Sequence, residues 1–265
     1  MKKILMIGSF RARSRQRYFT LKELGYDVKF ISDISEGFSP NDNNKGGLIK
    51  RVFSKLGFPL DIFKANKNAI EFCKKNNSID ILWVEKCLCL RRSTLVKIKK
   101  YCPNVILVIY TEDDMFNRRN QSFYFRRCLP LYDIVFTTKS YNLNKDELPS
   151  IGARNIFFID KAYDKNYHKP ICLSEKDFKK YQSDITFIGS FEKSRADLMY
   201  FLAEEGFKIN IYGNGWRKYK NKHINLSIKY RPLIDQEYIK AICASKINLN
   251  FLRKDNRDLQ TDRSM

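Results

Sequence analysis

Lys3-Ile4-Leu5-Met6-Ile7-Gly8-Ser9 opens the chain, and Asp184-Ile185-Thr186-Phe187-Ile188-Gly189-Ser190 opens its second half on the same plan. Each is a short apolar run closed by Gly-Ser. A run of that length without polar alternation suits a strand buried on both faces, as in a parallel sheet covered by helices. Helical periodicity follows the first run to Leu24, where Gly25 stops it. It follows the second over 195–205 and ends at Gly206. Strand, glycine turn and helix, met twice, predict an α/β fold of two Rossmann-like domains with parallel sheets.

Moving outward, further strands are expected at 28–31, 80–84, 105–110, 133–137 and 155–159, with helices at 60–75 and 93–101. The stretch 35–47 is polar and turn-rich, so it reads as a loop. Apolar periodicity is lost over 160–170, which reads as the interdomain connection. The expected division is an N-terminal Rossmann-like domain, 1–165, and a C-terminal domain, 166–265. In the second, strands are expected at 184–188, 208–212 and 247–251, with a helix at 235–244 capped by Asp235. About three strands is fewer than the five or six of a doubly wound domain, so this second domain is expected to be partial.

Composition sets the outer bounds. The chain has 265 residues and is 43% hydrophobic, enough for a packed core and against global disorder. No apolar run approaches ~20 residues, so no transmembrane helix is expected. The apolar start is too short for a signal peptide. Seven cysteines, an odd number without a secretion signal, point to free thiols in a reducing cytoplasm. The close pair Cys87-Leu88-Cys89 would share one face of a strand. Two histidines make a zinc site unexpected, and no metal is assigned. The net charge of +21 keeps nucleic acid, anionic lipid and phosphorylated small molecules as partner classes. No zinc finger, basic zipper or RNP-like motif is visible, which puts nucleic acid last. The expected location is the cytoplasm, with peripheral contact to the anionic inner face of the membrane.

In doubly wound sheets ligands bind beyond the carboxyl ends of strands, which selects five places. Gly8 and Ser9, followed by Arg11, Arg13, Arg15 and Arg17, could cradle an anion at a helix N-terminus, or form an ordinary solvated basic face. Thr111-Glu112-Asp113-Asp114 ends a strand. Asp113 and Asp114 are the candidate catalytic residues, able to orient a hydroxyl or act as a base; helix capping is the competing role. Gly189 and Ser190, with Arg195 in the next helix, suit a diphosphate, or are a plain strand-to-helix turn. Gly213, Asn214 and Gly215 allow close approach to a base or ribose, with Trp216 on the nucleotide or over the core. Arg253 and Arg263 sit in a charged tail.

These residues resemble a known family. Tyr110-Thr111-Glu112-Asp113-Asp114, Tyr132–Ser140, Tyr163-Asp164, His168-Lys169-Pro170, Ile211-Tyr212-Gly213-Asn214-Gly215-Trp216, Asn248-Leu249-Asn250-Phe251, Arg257-Asp258 and Thr261-Asp262-Arg263 are similar to segments of the CgeB-like (spore-maturation) glycosyltransferases, within the group-one GT-B enzymes. The first ~100 residues fit only a generic GT-B N-terminal domain. The resemblance implies transfer of a sugar from a nucleotide-sugar donor on the C-terminal half to an acceptor on the N-terminal half. The acceptor would be a glycan, a protein or a lipid-linked molecule. It also implies no metal and no cofactor other than the donor substrate. In that family a Phe-Glu-Ile-Pro-type segment follows Thr-x-Arg, and its glutamate contacts the donor; here Ser264-Met265 follow. A partial donor pocket is therefore expected. The competing expectation is a non-catalytic GT-B-derived module that binds anionic glycan or membrane surfaces through the arginines between 11 and 17.

Overall fold

The apolar run at the start of the chain forms β1 (Lys3–Gly8), buried from Ile4 onward. The computed structural model describes residues 1–34, 47–252 and 257. The chain divides into two units, Met1–Asp160 and Lys161–Met265.

In unit 1, β1 pairs in parallel with β2 (Asp27–Ser32) on one side and β3 (Ile81–Glu85) on the other. The sheet continues through β4 (Ile106–Thr111), β5 (Ile134–Thr137) and β6 (Ile156–Phe158), in the order β2-β1-β3-β4-β5-β6. The period of two sorts the strand residues. Ile4 and Met6 pack with Val28 and with Tyr18 and Leu21 of α1 (Ala12–Glu23) on one face. Leu5, Ile7, Leu82, Val84, Leu107 and Ile109 join the core on the other face. There they share a cluster with residues of α3 (Ala65–Lys75), α4 (Arg92–Tyr101) and α5 (Phe123–Cys128). Gly25, at φ 86°, adopts the left-handed conformation that lets the chain leave α1 for β2. The connection from β1 to β2, through α1, packs on one face of the sheet and that from β2 to β3, through α3, on the other, so a crevice opens between β1 and β3 at their carboxyl ends.

In unit 2, β7 (Ser183–Ile188), β8 (Ile209–Tyr212), β9 (Leu226–Ile228) and β10 (Ser245–Leu249) form a parallel sheet in the order β10-β7-β8-β9. It has four strands rather than about three, because the three-residue edge strand β9 carries too little pattern to read. Ile185, Phe187, Ile209, Ile211 and Trp216 pack against Ala196, Met199 and Ala203 of α7 (Lys193–Glu204). On the other face Ile188 and Tyr212 meet Tyr181 of α6 (Glu175–Tyr181) and Ala241 of α8 (Asp235–Cys243). Its switch point lies between β7 and β10.

Three expectations need correction. The helix expected over 60–75 begins at Ala65. Asp61 stops it there, accepting from the backbone N–H of Ala65 at 2.7 Å and of Asn66 at 3.0 Å. Asp235 is not the cap of α8 but its first residue, at φ 50°, and accepts from Tyr167 Oη at 3.0 Å. Cys87 and Cys89 lie past the end of β3, so they are not strand neighbours. Their sulfurs still sit 3.6 Å apart in the core. The helix α2 (Gly47–Lys55) precedes α3 and has no counterpart among the expected elements.

Candidate active site

The carboxyl ends of β1, β3 and β4 meet in one place. In register, Gly8 lies beside Glu85 and Glu85 beside Tyr110. The approach at Gly8 is close: a Cβ there would lie 2.6 Å from both the Cβ and the carbonyl oxygen of Glu85. Glycine is needed for packing of the strand end as much as for any ligand. Above these ends lies a cavity of about 360 Å³, lined by Ser9, Arg11, Arg13, Ser14 and Arg17 on one side and by Glu85, Lys86, Tyr110, Glu112 and Asp113 on the other.

Each of its three carboxylates is paired with a cation. Arg17 grips Glu85 with two hydrogen bonds, Nε to Oε1 at 2.7 Å and Nη2 to Oε2 at 3.1 Å. It also reaches Glu112 Oε1 at 3.2 Å, and its guanidinium lies 4.0 Å from the centre of the Tyr110 ring. Trp83 Nε1 donates to Glu85 Oε1 at 2.7 Å. Arg13 pairs with Glu112, and Lys86 pairs with Asp113. Burial alone would lower the Arg17 pKa; the hydrogen bond and charge of Glu85, with Glu112, outweigh it and raise it. Burial pushes the Tyr110 hydroxyl up to about 12, opposed by Arg17 and helped by Glu112 and Glu85. Lys86 sits at φ 42°, a left-handed conformation for a non-glycine residue at the lip of the cavity.

Of the candidate residues, Gly8, Ser9 and Asp113 come together here. Ser9 Oγ donates to Asp33 Oδ1 at 2.8 Å. Asp114 does not line the cavity. Its Oδ1 accepts from the backbone N–H of Phe116 at 3.1 Å and Asn117 at 3.3 Å, and from Asn142 Nδ2 at 3.1 Å, so it holds a turn. Glu85 was not among the candidates. It stands at a strand's carboxyl end, the same position that singles out Glu112 and Asp113. Arg13 and Arg17 are held by carboxylates rather than presented as a bare phosphate site.

Beneath Ser9, the Asp33 carboxylate and the sulfurs of Cys87 and Cys89 lie within 4.8 Å of one another. Hydrogen bonds from Ser9 and Cys87 account for this polar pocket, and burial raises the Asp33 pKa against them.

In unit 2 the loops after β7 and β8 are zipped together. Gly189 N donates to Tyr212 O at 2.8 Å, and Phe191 N to Asn214 O at 2.9 Å. A Cβ on Gly213 would lie 1.8 Å from Gly189 O, so the two loops require glycine there. Gly215, at φ 83°, starts the turn into Trp216. Trp216 is buried and donates from Nε1 to Gly189 O at 2.8 Å; it seals the core rather than offering a stacking face. Ser190 precedes α7, whose N-cap, Glu192, makes no capping hydrogen bond with its side chain. Arg195 is 5% exposed, pairs with Glu192 at 3.1 Å, and lies over the rings of Phe187 and Phe251. It braces the loop from inside. Arg253 and Arg263 lie outside the described residues.

No protein-family model matches the sequence, and no curated protein does. Solved structures do. An alpha-glucosyltransferase in complex with UDP and a 13-mer DNA containing a HMU base is similar over 94% of this chain and 72% of its own, with a TM-score of 0.55 and 14% identity. The UDP-GlcNAc 2-epimerase from Methanocaldococcus jannaschii is similar over 94% of this chain and 78% of its own, with a TM-score of 0.51 and 11% identity. The fold is GT-B-like. A GT-B-like fold serves both a transferase and an epimerase, so it fixes the architecture, and the reaction has to be argued from the sites.

Proposed function

We propose that the chain is a glycosyltransferase that moves a sugar from a nucleotide-sugar donor to an acceptor hydroxyl. One observation carries the reading: a carboxylate-bearing cavity at the switch point of unit 1, in a fold shared with an alpha-glucosyltransferase bound to UDP. A cavity whose carboxylates are each paired with a cation suits a hydroxyl-rich ligand, since its carboxylates accept from hydroxyls and its cations donate to them. Asp113 is the group to take the acceptor proton, held in place by Lys86. Glu112, held by Arg13 and Arg17, orients the same ligand.

The donor belongs to unit 2. Ser190 and the N-terminal N–H groups of α7 offer an anion site to the diphosphate. Gly213, Asn214 and Gly215 offer close backbone approach to the nucleoside. Arg195 supports this loop from below, so its part is positioning. The finer resemblance to the CgeB-like enzymes rests on the sequence segments alone. The acceptor is a glycan, protein or lipid-linked hydroxyl. The DNA in the glucosyltransferase complexes adds a modified-base hydroxyl to the acceptors worth testing.

The experiment is calorimetric titration of the full chain with UDP and other nucleoside diphosphates. Mass spectrometry of sugar nucleotides incubated with each acceptor class follows. Nucleotide binding is expected, with transfer reduced at least about tenfold by Asp113→Asn. Absence of both binding and transfer would overturn the reading. So would conversion of the sugar nucleotide into an isomer with no acceptor consumed.

A further inference from the structure

Helix α2 and the segment after it present an apolar surface that the described residues of unit 1 leave exposed. Ile49, Val52, Phe53 and Leu56 recur at i, i+3, i+4 and i+7, which makes one stripe. A surface helix normally turns such a stripe inward. Here every side chain over 51–56 is exposed, so the stripe does not rest on the core. Phe58, Leu60, Ile62 and Phe123 extend the exposed surface. Fractional exposures across it run from 39% at Leu60 to 66% at Ile49 and Leu56. That many neighbouring large apolar side chains mark a contact surface rather than ordinary scatter. The surface is anchored to the domain. Phe123 N donates to Gly57 O at 2.7 Å, and the rings of Phe58 and Phe123 are 5.1 Å apart.

The charge is one-sided. Lys50, Arg51 and Lys55 stand outside the stripe on α2, and Lys64 and Lys67 follow. Asp61 is the acid in that stretch, and it is committed to the start of α3. A second copy of this chain would fit poorly, because a twofold contact places the same patch on both partners and sets these cations against each other. An anionic lipid surface complements both features.

We propose that this surface seats the protein on an anionic bilayer. The stripe of α2 enters the boundary between headgroups and acyl chains, and its lysines and arginine face the lipid phosphates. Nine residues in α2 are far too few to span a bilayer, and no described helix is long and apolar enough to do so; the contact is one of lying on the surface. The site differs from the expected membrane contact at the head of α1, where Arg13 and Arg17 are held by Glu112 and Glu85. It does not rest on the glycosyltransferase reading.

The test is co-sedimentation of the full chain with vesicles of phosphatidylcholine alone and of phosphatidylcholine with phosphatidylglycerol. Binding is expected to the anionic vesicles and to weaken with salt. The double variant Ile49→Asp, Leu56→Asp should reduce the partition by about tenfold or more. Both side chains are exposed, so unfolding in urea should be unchanged. Lys50→Glu with Lys55→Glu should abolish the preference for anionic vesicles, whereas Arg15→Glu should leave it. In a Phe53→Trp variant, emission should shift to the blue with anionic vesicles only. Binding that survives the double variant would overturn the proposal, as would no binding to either vesicle. A concentration-dependent dimer abolished by the double variant would assign the surface to a second copy and also overturn it.

Discussion

Glu85 accepts from Arg17 twice and from Trp83 once, and its side chain is 7% exposed against 25% for Arg17. Such a pair specifies geometry more than it adds stability, because both ions lose water to form it. Removing one partner is different: the other is left charged and shielded. Breaking a fully buried pair costs about 3 kcal/mol or more. Arg17 keeps some water and a second partner in Glu112, so Glu85→Gln should cost about 2 kcal/mol, read as a lower urea midpoint at unchanged slope. Asp113 presents the opposite case. Its side chain is 52% exposed and pairs with Lys86 across the cavity lip, so Asp113→Asn should leave stability within about 0.5 kcal/mol. An unfolding midpoint that fell as far for Asp113→Asn as for Glu85→Gln would make Asp113 a structural residue and remove it from the proposed chemistry.

At the scale of elements, the start of α3 shows how one side chain decides a boundary. Leu60, Ile62 and Phe63 continue the apolar pattern of 65–75, and periodicity alone draws them into the helix. Asp61 takes the first two helical N–H groups instead, and Lys64, at φ 57°, makes the turn. Asp61→Ala should therefore cost about 1 kcal/mol, with the loss seen first as faster amide exchange at Ala65 and Asn66. Unaltered exchange there would show that the cap is not what holds the helix start. The same contrast explains which elements are legible in the sequence. The central strands are continuous apolar runs, and their burial on both faces leaves no other reading. Short elements such as α5, of six residues, and β9, of three, hold fewer than two periods. The amphipathic repeat of α2 at 49, 52, 53 and 56 is legible in the sequence, although it follows directly on the polar stretch 35–47. The candidate site divides likewise. Gly8, Ser9 and Asp113 follow from the rule that strand ends bind ligands. The tie between Arg17 and Glu85 joins residues 68 apart, and no local spacing announces it. Nor does a sequence say that Asp114 and Arg195 turn inward while Asp113 and Ser194 face out.

For the whole molecule, 50 basic residues stand against 29 acidic ones, so most carboxylates sit in a positive field. Unit 2 ties several of them down. Glu237 takes Arg231 in a fork at 2.6 and 2.8 Å, Tyr181 Oη at 2.6 Å and Lys180 at 3.2 Å. The Arg231 hydrogen bonds, with those of Tyr181 and Lys180 and against burial, lower its pKa from an ordinary 4.5 to about 2. Asp177, held by Lys240 and Ser174, and Asp184, held by Lys246, are lowered as well. A carboxylate with a depressed folded pKa binds fewer protons when folded than when unfolded. Its contribution is whole above the unfolded pKa and is lost as pH falls through the folded one. For Glu237 that window runs from about 4.5 down to about 2. Glu237→Gln keeps an acceptor oxygen for Tyr181 but removes the charge and replaces the second oxygen of the Arg231 fork by a donor. The side chain is 37% exposed, so the loss at pH 7 should be about 1 kcal/mol or less. The gap between the variant and the parent should narrow as pH falls below 4.5, close near pH 2, and shrink at pH 7 in high salt. Urea unfolding at a series of pH values measures it. A gap that stayed constant down to pH 3 would mean that shape, not ionisation, sets the contribution of Glu237, and the acid sensitivity of unit 2 would have to come from elsewhere.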